Sequence, residues 1–186
     1  LTADFVVSNA LGQPFSTSVA AVAARLDGVA ELAQVRWQAG QVAGDDANLA
    51  ALDPAAFSTA ANLEITDGGA ELGTEGVLVA AGLAGRERLD VGDRLTIALP
   101  AGEQRLRVVG VFADNPAVGS EVVVSFDTLQ SGGVSAADSY VYVVAEPGAD
   151  IATVRAGLEQ VTATLPTVTV KDQDAFTEER VSDPRL

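Results

Sequence analysis

Hydrophobic positions along the chain follow two periods in turn. ADFVVSN (Ala3 to Asn9) is a short, continuous apolar run, which predicts a buried strand. After Gly12 and Pro14, Val19, Val22, Ala23 and Leu26 fall at i, i+3, i+4 and i+7, which predicts a helix capped by Ser16 or Thr17 and ended by Gly28. Val35, Trp37 and Ala39 then recur at period two, as a strand with one buried face requires. NLAALDPAAF predicts a short strand followed by a helical turn, because Asp53 can cap the turn and Pro54 suits its first position. LEITDGG (Leu63 to Gly69) is a further extended piece that ends in a turn.

Between about Glu71 and Phe126 the pattern becomes that of a β-rich segment. GVLV and EVVVSF are continuous apolar strands, and a hairpin lies between them. In it Leu95, Ile97 and Leu99 alternate with Arg94, Thr96 and Ala98, and a PAGE loop leads into LRVVGVF. Leu106 and Val108 continue the buried face while Arg105 and Arg107 point away from it. The run becomes apolar on both faces at VVGVF, so that part is expected to be covered twice.

Past the SGGVSAAD loop the first pattern returns. SYVYVVA predicts a strand, and Ile151, Val154, Leu158, Val161 and Leu165 mark one face of a helix capped by Asp150. PTVTVKD predicts a last strand and QDAFTEERV a short polar helix. Strand-helix-strand units at both ends of the chain can pair into one α+β sheet of the split β-α-β type. The expected organisation is therefore a lobe made from residues 1–66 and 134–186, with a β-rich lobe inserted at 67–133. Both chain ends would then belong to the same lobe.

Composition narrows the chemistry. A chain of 186 residues buries roughly 70% of its unfolded surface and supports a core. Its hydrophobic fraction of 48% comes largely from Ala and Val, so the positive mean hydropathy of +0.25 reflects small side chains. The longest apolar run, GVLVAAGLAG, is closed by Arg86 and Glu87, short of the roughly 18 to 20 residues of a membrane helix. There is no initiator Met and no basic, apolar leader, as expected of a mature form or a piece of a longer chain.

The net charge of −15 repels phosphate backbones and anionic headgroups, which excludes nucleic acid as a partner. The preference for Arg over Lys, with Ala, Val, Gly and Asp, is the bias expected of a GC-rich bacterial genome, with a salt-adapted organism as the lesser reading. Cys, His and Met are absent, which removes thiol and imidazole nucleophiles, disulfides and most zinc, copper and haem sites. Any chemistry would rest on carboxylates and hydroxyls.

The DVGDRLTI turn could bring backbone N–H groups to an anion, but the phosphate-loop patterns G-x-G-x-x-G and G-x-x-x-x-G-K-[ST] are absent. The simpler account is that Gly92 adopts a turn conformation other residues resist, while Asp93 accepts backbone hydrogen bonds. GDDAN (Gly44 to Asn48) and ITDGGAELGTE carry oxygen ligands without the calcium-loop spacing and are expected to be solvated loops. Trp37 is expected to be a core or lobe-interface residue rather than a sugar platform. With 26 acidic residues, a carboxylate pair of the glycosidase type carries no information. No residue is assigned a catalytic, cofactor-binding or metal-binding role.

LEITDGGAELGTEGVLVAAGLAGRERLDVGDRLTIALPAGEQRLRVVGVF resembles the extracytoplasmic domain of FtsX-like permeases, the MacB-type periplasmic core domain. The resemblance rests on an extended piece ending in Gly, the apolar GVLV strand, and a small-residue helix containing an Ala, here Ala81 or Ala84. The L-x-V-G-D turn (Leu89, Val91, Gly92, Asp93) and the V-V-G-V strand (Val108 to Val111) complete it. It implies a porter-like lobe from the chain ends and an inserted sabre-like lobe, placed outside the cytoplasmic membrane between two transmembrane helices. QDAFTEERVSDPRL would approach the second of these.

The resemblance further implies a cytoplasmic ABC ATPase subunit as partner, a second permease copy, and mechanical coupling of ATP hydrolysis to export or extraction of an unknown substrate. No cofactor is implied, and no long coiled insertion for an adaptor is present. The first reading is thus a non-catalytic permease ectodomain. The alternative is a free secreted or lipid-anchored binding module for a peptide, glycan or calcium, with a carboxylate-dependent hydrolase a distant third.

Overall fold

The computed structural model describes residues 1–182. In chain order the elements are β1 (Phe5–Asn9), α1 (Ser18–Ala23), β2 (Val29–Val42), β3 (Asp45–Ala51), α2 (Pro54–Ala61), β4 (Ile65–Gly68), β5 (Gly76–Ala80) and α3 (Ala81–Glu87). They continue with β6 (Arg94–Leu99), β7 (Gly102–Phe112), β8 (Val122–Val124), α4 (Phe126–Ser131), β9 (Tyr140–Ala145), α5 (Ile151–Val161), β10 (Val168–Asp172) and α6 (Gln173–Ser182). The chain divides into two compact units. Unit 1 holds residues 1–34, 59–62 and those from Ala137 onward, and unit 2 holds 35–58 and 63–136.

In unit 1, β1 is flanked by two antiparallel neighbours, with Val7 opposite Val170 of β10 on one side and Val141 of β9 on the other. The strand order β10-β1-β9-β2, with α1 following β1 and α5 following β9, is the split β-α-β arrangement. Helices α1 and α5 touch. Their apolar stripes close a core that includes Phe5, Val7, Val19, Ala23, Val154 and Leu158. Each large side chain so buried contributes about 1.5–3 kcal/mol.

Details of both helices depart from the periodic expectation. Val22 is 48% exposed, because the six-residue α1 turns Val19, Ala20 and Ala23 inward and their small size allows close approach. The helix ends at Ala23 instead of Gly28, and Thr17 makes no side-chain cap; Ser16 Oγ accepts the Ser18 N–H at 3.2 Å. Asp150 does cap α5, its Oδ1 accepting the Ala152 N–H at 3.2 Å. Ile151, in the first turn, is 46% exposed, and α5 stops at Val161, so Leu165 reaches the core from the turn beyond.

Unit 2 is a mixed sheet. β3 runs parallel to β8 (Ala50 opposite Val123), and β5 runs parallel to β7 (Val77 opposite Val108). β5 is antiparallel to β8, and β6 to β7. Parallel strands are covered on both faces, which is why GVLVA of β5 and VVV of β8 are wholly buried and read as continuous apolar runs. The same holds for Gly110, Val111 and Phe112 at the end of β7. In β6, Leu95, Ile97 and Leu99 alternate inward as expected.

Residues 35–58, grouped by chain order with the ends, instead pack in unit 2, because the β3–β8 pairing ties β3 to the middle of the chain. Asp45 to Asn48 are not a solvated loop. They begin β3, opposite β2 (Gln41 to Asp46, Val42 to Asp45), and the two-residue turn Ala43-Gly44 has φ of 51° and 89°, the signs a tight hairpin requires. Ala39, expected to be buried, is exposed. No helix among the described residues is long and apolar enough to cross a membrane. Asp183 to Leu186, the end of the segment read as the approach to a membrane helix, lie outside the described residues.

Candidate functional site

The turn before β6 is built as a structural corner. Gly92 has φ of 99°, a value that side chains resist. Its N–H donates to Val108 O at 2.8 Å, and the Val108 N–H donates to Asp93 O at 2.8 Å, which locks the turn to β7. Asp93 Oδ2 accepts the Asp90 N–H at 2.8 Å, so its carboxylate is engaged in closing the corner. Leu89 packs against the core of unit 2.

A concavity of about 480 Å³ in unit 2 lies between the starts of α2 and α4 and the 70–73 loop. Leu52, Pro54, Leu72 and Phe126 make it predominantly apolar. The helix starts facing it are already capped. Asp53 Oδ1 accepts the Ala55 N–H at 3.0 Å, and Ser125 Oγ accepts the Thr128 N–H at 3.1 Å. Those donors are therefore satisfied from within the chain. The Arg36 guanidinium lies 4.2 Å from the centre of the Phe126 ring.

A second groove of unit 2, about 390 Å³, is acidic, with Asp45, Asp46, Glu87 and Glu121 around Arg86. Arg86 Nη2 donates to Glu121 Oε2 at 2.7 Å, and this partner raises the guanidinium further above its ordinary range. Both side chains are half exposed, so the pair contributes little to stability. No group of three carboxylates among the described residues is placed to hold a metal ion.

Trp37 sits in unit 2 with its Nε1–H donating to Val118 O at 3.0 Å. Its ring lies so close to Gly119 that a Cβ there would fall 2.3 Å from it. The indole is thus a packed, half-buried residue whose one polar atom is satisfied.

Unit 1 carries an aromatic cluster. Tyr140 and Tyr142, two apart on one face of β9, stack with centroids 6.2 Å apart, and Phe176 of α6 meets both edge-on at 5.8 and 6.2 Å. Beside it is a concavity of about 290 Å³ lined in part by Lys171, Glu179 and Arg180. Lys171, the sole lysine, is paired with Glu179. Burial pushes the Tyr142 phenol well above its ordinary pKa, with Arg180 opposing the shift. Tyr140 moves the same way for the same reason. Sequence reasoning passed over this cluster, although the i, i+2 spacing of the tyrosines places them on one strand face.

Among the described residues these features cap, pack and pair groups of the chain itself. The family model for the MacB-like periplasmic core domain matches residues 2–161. The structure is similar to that of the periplasmic region of MacB from Actinobacillus actinomycetemcomitans (TM-score 0.75, 13% identity, covering 98% of this chain and 94% of that one). It is also similar to the extracellular domain of the noncanonic ABC-type transporter YknZ from Gram-positive bacteria (TM-score 0.68, 16% identity, 91% and 99% covered). No curated protein sequence matches the chain.

Proposed function

The chain belongs to the family of MacB-like periplasmic core domains, and on that premise we propose that it is the extracytoplasmic domain of an FtsX/MacB-like ABC transporter permease. In this role it contacts substrate or an extracytoplasmic partner and couples cytoplasmic ATP hydrolysis mechanically to movement outside the membrane. The observation that carries the proposal is the family match across residues 2–161. The chemistry agrees with it, because the grooves offer contact surfaces and the hydrolysis would take place in a separate ATPase subunit acting through the membrane part of the permease. A second permease copy is the further partner this role calls for.

One feature of unit 1 is compatible with this role. The Gln173 side chain, at the start of α6, donates to Leu1 O at 2.5 Å, so the two peripheral segments meet at one place. Chain ends that lie close together suit a domain carried between two membrane helices. The test is the translated gene sequence on either side of Leu1 and Leu186. Each flank is expected to carry roughly 20 consecutive apolar residues; a gene in which neither does would sink the proposal.

A further inference from the structure

We propose that the solvent face of the β6–β7 hairpin docks a short acidic segment of a partner protein. Arg94 lies directly opposite Arg107, and Thr96 directly opposite Arg105. Because Leu95, Ile97, Leu99 and Leu106 turn into the core, alternation puts all three arginines on the other face, where they are exposed. They are concentrated on one hairpin of a chain with a net charge of −15. Among the described residues none of the three enters an ion pair or a side-chain hydrogen bond. Like charges directly opposite each other destabilise a strand pair, so hairpin stability alone does not account for Arg94 beside Arg107.

Geometry and charge select the occupant. A guanidinium stays charged and offers two parallel N–H groups to a carboxylate. Arg105 and Arg107, two residues apart on one strand, are about 6.6–6.8 Å apart along it, the spacing of carboxylates at alternate positions of an extended peptide. Arg94, about 4.5–5.5 Å across from Arg107 at Cβ, adds a second donor to the same carboxylate. Glu103 continues the same face of β7, opposite Ala98, so the basic track is short and then reverses sign. A long polyphosphate or an anionic bilayer would meet Glu103 and the negative charge of the whole chain. A short segment with its acidic pair over the arginines and a neutral residue over Glu103 avoids both.

The test is fluorescence anisotropy at low ionic strength with the full 186-residue chain, using a labelled peptide of alternating Glu and Thr and its Gln-Thr counterpart. The Glu-Thr peptide is expected to bind and the Gln-Thr peptide not. Arg105→Glu with Arg107→Glu should weaken binding about tenfold or more, while Arg25→Glu, an exposed reversal outside the hairpin, should change it by less than about twofold. Arg105→Gln with Arg107→Gln is the milder pair, expected to melt no lower than the parent because a like-charge contact is removed. Equal binding of the two peptides, unchanged binding by the variants, or displacement of the peptide by polyphosphate or phosphatidylglycerol vesicles at lower charge concentration would each overturn the proposal.

Discussion

In unit 1 two helices lay side chains onto a sheet; in unit 2 strands approach each other backbone to backbone. The contrast is clearest at glycine. Gly157 of α5 in unit 1 has only the flexible Leu26 side chain in front of it, at 3.3 Å from where a Cβ would stand. Gly110 of β7 and Gly76 of β5 in unit 2 face backbone oxygens, Gly69 O at 2.0 Å and Leu72 O at 2.2 Å from a Cβ. Side chains can shift into new rotamers, whereas a paired backbone cannot move without breaking its ladder. Unit 1 should thus absorb small volume changes that unit 2 rejects.

The aromatic residues make this measurable, since the single Trp, Trp37, lies in unit 2 and both tyrosines, Tyr140 and Tyr142, lie in unit 1. The largest effects are expected from Phe5→Ala and Phe112→Ala, each removing a fully buried ring at a cost of about 3–5 kcal/mol. In urea titrations the first should shift the tyrosine signal more and the second the tryptophan signal. Coincident shifts of both signals in both variants would mean that the two units unfold as one, and the comparison would lose its thermodynamic content.

Glycine substitutions probe the contrast itself. Gly110→Ala should cost about 3 kcal/mol by forcing β4 and β7 apart. Gly157→Ala should stabilise the protein by up to about 1 kcal/mol through helix propensity, as Leu26 yields. Equal losses for the two, read from urea midpoints, would contradict the difference drawn between the units.

Alkaline pH separates the units in another way. In the unfolded chain a tyrosine ionises near 10.0, and in unit 1 burial raises both phenols above that value. The stability gained by keeping them neutral is therefore complete below pH 10 and is lost as pH rises from there through the folded-state pKa. Absorbance at 295 nm should show tyrosine ionisation delayed until unit 1 opens, while unit 2, with no tyrosine, has no such cause of unfolding. Ionisation of both phenols near 10 in the folded protein would remove the effect. The smallest losses, about 1 kcal/mol each, are expected for the cap removals Asp150→Ala in unit 1 and Ser125→Ala in unit 2, read from thermal melts.

How far the sequence could be read follows the same divide between local and distant contacts. The β6–β7 hairpin and the Gly92-Asp93 corner were legible because register and turn chemistry are set within a few residues: Leu95 must face Leu106 once the turn is fixed. The split β-α-β order of unit 1 followed from periodic helices between strands. The parallel β3–β8 and β5–β7 pairings were not legible, since apolar strands such as VVV carry no alternation that specifies a partner. Chain order alone therefore groups residues 35–58 with the chain ends.

Val22 and Ile151 lie outside the core because a short helix, or its first turn, is oriented by the volume available beneath it and not by its apolar count. No site residue could be named from the sequence. The arginine face of the hairpin was visible as Arg105 and Arg107 pointing outward, but its meaning required Arg94 to be placed opposite Arg107.

A domain of a permease outside the cytoplasmic membrane is reachable from the outside of intact cells. The domain contains no cysteine, and Leu11 is 67% exposed, so Leu11→Cys in the full-length gene product provides a reporter within it. Intact cells should label at that position with a membrane-impermeant maleimide, and the labelled protein should remain in the membrane fraction after alkaline carbonate extraction. Labelling only after lysis, or release of the labelled protein into the soluble fraction, would rule out an extracytoplasmic permease domain.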